Sequence, residues 1–90
     1  MSHRKLTLAQ YRADLINPTT QAHLDFIIAR LKFSRCNRGV LIRECTTAGY
    51  QASMTRRLLN MLAVYEIITL TTQTAWPVST VVELAGGAQS

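Results

Sequence analysis

Acidic side chains are scarce in this chain, with five Asp and Glu against ten Lys and Arg in 90 residues. Asp14, Asp25, Glu44, Glu66 and Glu83 stand scattered, so no carboxylate pair is set for general acid–base work. Cysteine is nearly as rare. Cys36 and Cys45 form no CxxC and the two histidines, His3 and His23, lie far apart, so no metal site is expected. Both thiols read as reduced, with Cys45 buried. Four glycines make no phosphate-cradling loop and no nucleophile motif appears. His23 reads as a packing or surface residue, and the chain reads as a non-enzyme without cofactor. No apolar run spans a membrane, because Asn60 and Glu66 interrupt the best candidate. MSHRKLTLAQYR carries basic residues without an apolar stretch or cleavage site behind them, unlike a signal peptide. The expected location is the cytoplasm, associated with the nucleoid. There is no internal repeat or low-complexity tract.

Apolar residues make up 48% of the chain, enough for one packed domain over residues 1–90. A body this small buries a limited share of its surface, so dimerisation would add stability. The formal charge of +5 and pI near 9.9 favour anionic partners, nucleic acid first. Position sharpens this. Arg30, Lys32, Arg35, Arg38 and Arg43 fall in a stretch containing no carboxylate, and Arg56 and Arg57 follow.

Residues 1–6 read as a basic arm. Thr7 and Gln10 have capping-box spacing, and Leu8, Tyr11, Leu15 and Ile16 recur at helical intervals, predicting a helix of about ten residues. Asn17-Pro18 stops it. Leu24, Ile27, Ile28 and Leu31 mark one face of a second helix from Thr19 or Thr20 to about Lys32, with Phe33 as an extension. Asn37 is the expected N-cap of a third helix, Arg38 to about Ala48. A sharp turn at Gly49 leads to a fourth helix from Ala52 or Ser53 to Tyr65. Its expected inner face is Met54, Leu58, Met61, Leu62 and Tyr65, with Arg56, Asn60 and Ala63 opposite and Arg57 on the flank. From Ile67 the period changes to two. ITLTT and VSTVVEL, separated by QTAWP, predict a β-hairpin over residues 67–84, followed by a flexible tail over 85–90.

The expected fold is mainly α with a C-terminal β-hairpin. Two helices joined by a short glycine-bearing turn have the layout of a helix-turn-helix. The span SMTRRLLNMLAVYEIITLTT resembles the recognition helix and first wing strand of the winged helix-turn-helix superfamily, and the resemblance extends from Thr20 to Leu84. Members often place a glycine between recognition helix and strand, where this chain has Tyr65-Glu66.

The resemblance implies binding to double-stranded DNA. Arg56 and Asn60 are then the base-reading candidates, Arg for guanine and Asn for adenine. Gln51, Ser53 and Thr55 join them at the helix start, where Ser53 reads equally well as an N-cap. Arg57, Arg35, Arg38 and Arg43 are the phosphate candidates. A cation at Arg38, in the first turn of a helix, opposes the macrodipole unless a phosphate docks there, or it is simply solvated. Trp76, beside Pro77 at the wing tip, either meets a partner or folds back over the hairpin.

Two functions compete. One is a sequence-specific regulator of phage or plasmid type, a homodimer through its first helix. The other is a winged-helix protein-interaction module that docks a protein partner through the wing or first helix and does not read DNA.

Overall fold

The computed structural model describes residues 6–74 and 79–85. Trp76, the start of the basic arm and most of the tail lie outside the described residues. Within them the order is α1 (Leu8–Asp14), α2 (Pro18–Phe33), β1 (Cys36–Asn37), α3 (Arg38–Thr47), α4 (Ala52–Val64), β2 (Ile68–Gln73) and β3 (Ser79–Leu84). The chain is mainly helical, with a small antiparallel sheet.

The Thr7–Gln10 capping box forms as predicted, in both directions. The helix it starts ends at Asp14, short of Ile16. Leu15 leaves helical dihedrals, and its carbonyl accepts from the Gln21 amide instead. Asn17 then caps α2 by accepting from the Thr19 and Thr20 amides, with Pro18 at the first helical position, where its missing N–H costs nothing. The proline thus opens the second helix as well as closing the first. A bidentate Arg12–Asp25 pair (2.8 and 2.9 Å) and the tilted Tyr11 and Tyr65 rings, 5.3 Å apart, bind α1 to α2 and to the end of α4.

The main core lies where α2, α3 and α4 meet the sheet. Leu24, Ile27, Ile28 and Leu31 of α2 close on Leu41 and Cys45 of α3 and on Leu58, Leu59 and Leu62 of α4. Ile67, Ile68 and Val82 form its floor. The strand order is β1-β3-β2, antiparallel throughout. β1 was not anticipated from the sequence: Cys36 pairs with Val82 and Asn37 with Val81. Asn37 begins α3 without a side-chain capping bond, so it serves by backbone position alone.

Both helices of the central pair end in the same device. After α3, the Gly49 amide donates to the Thr46 carbonyl and the Tyr50 amide to the Cys45 carbonyl. After α4, Glu66 donates to Ala63 and Ile67 to Leu62. These are Schellman closures, which require a left-handed residue. Gly49 supplies it at φ 102°, and Glu66 supplies it at φ 62°. The residue between α4 and β2 is therefore a glutamate held in a conformation that glycine adopts more readily.

The two positions predict opposite responses. A Cβ at Gly49 meets open space, so Gly49→Ala carries backbone strain alone, about 1–2 kcal/mol of lost stability. Glu66→Gly should stabilise by about 0.5–1 kcal/mol, the relief of strain exceeding the entropy of a freer unfolded chain. Urea midpoints moving in the same direction for both variants would contradict this account.

Candidate nucleic-acid interface

The rotation of α4 decides which side chains the helix presents. Its buried residues are Thr55, Leu58, Leu59 and Leu62, whereas the sequence pattern placed Met54, Met61 and Tyr65 inside. Those three are half-buried. At 100° per residue the inner face is turned by roughly 65° from the expected one.

Thr55 is the cause, and its expected role at a base edge is corrected by the structure. Its side chain is fully buried at 0% exposure. Its Oγ1 donates to the Gln51 carbonyl (3.1 Å), which leaves the oxygen to accept from His23 Nε2–H (2.8 Å). The proton is thereby assigned to Nε2. His23, on α2, is 2% exposed, and the Tyr50 ring stacks on it at 4.3 Å and 10°. One hydroxyl therefore ties α2 to α4. Methionine offers no such bond, so a polar residue takes the wall position.

The outward stripe of α4 is Ser53, Arg57, Asn60 and Val64, at i, i+4, i+7 and i+11, all exposed. Arg57 and Asn60 lie about 150° from the mean direction of the buried side chains and Arg56 about 110°. The structure thus exchanges the two arginines: Arg57 faces outward and Arg56 flanks. Val64, 61% exposed, completes the stripe. It had not been singled out, although its spacing from Asn60 and Arg57 was legible. Ser53 is not the N-cap. Gln51 occupies that position, exposed and without a side-chain capping bond.

Of the phosphate candidates, Arg43 is exposed on α3, about 180° from the Leu41–Cys45 face. Arg38 is half-buried at the first position of α3. Neither α3 nor α4 has an acid in its first turn or a side chain on its N-terminal amides, so both positive helix ends are uncompensated. Arg35 lies 4.0 Å from Glu83 with both side chains well exposed, a loose pair that leaves it able to move. Arg30 differs. Its Nε donates to Glu44 (2.7 Å) and its Nη1 to the Ser34 carbonyl and hydroxyl (3.0 Å each). It closes α2 and binds α3.

Burial raises both thiols above their usual range, so Cys36 and Cys45 stay protonated at neutral pH. Among the described residues no group of three His, Cys, Asp or Glu gathers to hold a metal, and no helix is long and apolar enough to cross a membrane. No family model, curated protein or solved structure matches the chain.

Burial also lowers the His23 pKa below 6.5. The unfolded chain then takes up a proton as pH falls through 6.5 while the folded one resists it, so this contribution is whole above 6.5 and declines below. Urea titrations should show wild-type stability dropping in that window more steeply than His23→Gln. Thr55→Val, which strands the His23 N–H, should cost about 1–3 kcal/mol at pH 7.5. An equal pH slope in the two proteins would remove His23 from this role.

Proposed function

We propose that the chain is a sequence-specific binder of double-stranded DNA, built as a winged helix-turn-helix. In this reading α3 and α4 are the helix-turn-helix, α4 is the recognition helix, and the β2–β3 hairpin is the wing. The strand order β1-β3-β2, with β1 entering just before the helix pair, supports it. The observation that carries the reading is the outward face of α4. It holds an arginine, an asparagine and a serine, with a second arginine on its flank, and the helix contains no carboxylate.

On that face each residue type has a matching base edge. Arg57 donates to guanine O6 and N7, Asn60 pairs with adenine N6 and N7, and the Val64 methyls fit a thymine methyl. Arg56 and Arg43 lie to the sides, where phosphates run, and Arg38 approaches the backbone at the α3 N-terminus. Gln51 and Ser53 meet the groove first, at the start of the helix. A small transcriptional regulator is the biological role that such a module fits.

Fluorescence anisotropy on a duplex selected from a random pool tests this. The logarithm of affinity should fall linearly with the logarithm of salt, with a slope near −0.9 per phosphate neutralised. Arg57→Ala and Asn60→Ala should each cost about 1–3 kcal/mol on the selected duplex and little on unrelated DNA. Arg43→Ala should weaken all sequences alike and reduce the slope by about 1. A salt-insensitive association, or a pool that yields no consensus, would sink the proposal.

A further inference from the structure

The two edges of the sheet are unequal. β1 covers one side of β3 with two residues, while β2 is a six-residue outer strand. Its free groups follow from one hydrogen bond. The Ala85 amide donates to the Ile67 carbonyl (3.0 Å), and these two residues continue the Ile68↔Leu84 register by one step. Hydrogen-bonded and open pairs alternate along an antiparallel ladder. Thr69, Thr71 and Gln73 therefore direct their backbone groups at β3. Ile68, Leu70 and Thr72 each direct one N–H and one C=O away from it. The Thr72 and Thr80 hydroxyls, 3.4 Å apart, fit the closer spacing of an open pair.

Proteins that stay monomeric blunt such an edge with lysine, proline, a bulge or a covering segment. β2 reads ITLTTQ, with neither a charge nor a proline. Its register with β3 is unbroken over six pairs, and no described strand covers its outer side.

We propose that this edge is a homodimer interface, with β2 of a second copy pairing antiparallel about a two-fold axis at Leu70. The register is set by the backbone. Outward residues must meet outward residues, and centring on Leu70 is the one two-fold arrangement that engages all three. Leu70 then faces the partner's Leu70, and Ile68 faces the partner's Thr72. On the solvent side Thr69 faces the partner's Thr71. A strand paired with itself places like near like, which is unfavourable for charged residues and favourable for threonine and leucine. The absence of charge along β2 is what makes a second copy the matching occupant. The ladder alone is smaller than the interfaces of tight dimers, so association should depend on protein concentration. The proposal does not rest on DNA binding.

Sedimentation equilibrium on the full chain, without DNA, tests it. The wild-type mass should rise with concentration from 10.1 kDa toward twice that value. The double variant Thr69→Lys/Thr71→Lys sets lysine against lysine across the axis, and Thr69→Glu/Thr71→Glu sets glutamate against glutamate. Each alone should stay at the monomer mass, and an equimolar mixture should recover the dimer. Thr72→Pro, which removes an outward N–H and none of the β3 ladder, should block association independently. A wild type fixed at 10.1 kDa, lysine variants that dimerise as wild type does, or a mixture that stays monomeric would each overturn the proposal.

Discussion

Thr55 sits in the wall between α2 and α4, and its hydroxyl is held by the Gln51 carbonyl behind it and His23 in front. A helix packed by leucines alone has some latitude about its own axis, since neighbouring apolar side chains of similar size can exchange places at modest cost. A buried hydroxyl and a buried imidazole have no such latitude. Rolling α4 by one residue would leave the His23 imidazole unpaired in the core, at a cost of about 1–3 kcal/mol, while the Thr55 hydroxyl would keep only its bond to the Gln51 carbonyl of its own helix. The polar pair thus selects one rotation among several that hydrophobic packing would tolerate. The outward stripe of Ser53, Arg57, Asn60 and Val64 is a consequence of that selection. Tyr50 joins the same point to the turn before α4, because its ring lies flat on His23.

Much of the architecture was legible in the residues. The α2 stripe, the Thr7–Gln10 box and the Gly49 turn each rest on local chemistry that few tertiary contacts can override, and each appears where expected. The change of period at Ile67 likewise marked the hairpin within one residue. What was not legible depends on partners distant in sequence. Cys36–Asn37 is too short to show a period, and it is a strand because β3 lies beside it. The α4 face was misjudged because hydropathy ranks methionine above threonine as a core residue. The deciding bond comes from His23, 32 residues away. Glu66 was visible as a departure from glycine, but its left-handed φ belongs to the closure that Ile67 and Leu62 complete.

The basic cluster also changes character on folding. In sequence Arg30, Lys32, Arg35, Arg38 and Arg43 form one run; in space they divide. Arg30 is drawn into the Glu44 bridge, where its side chain keeps 22% of its exposure, and it acts as structural glue between α2 and α3. Arg12 is occupied with Asp25 on the far side of α2, and Arg35 stands loosely near Glu83. Among the described residues, the ion pairs with Asp25, Glu44 and Glu83 therefore involve arginines outside α3 and α4.

That distribution is more informative than the net charge. Asp25, Glu44 and Glu83 pair with cations on α1, on α2 and at the approach to β1. Arg38, Arg43, Arg56 and Arg57 have no ion pair among the described residues. Four cations without counter-ions on two packed helices repel one another, and two uncompensated helix N-termini add positive potential nearby. Folding accepts this cost at a helix pair whose second member, α4, has its rotation held by Thr55. An anion spanning α3 and α4 would remove the repulsion and satisfy both helix ends together, which a solvated surface would not require.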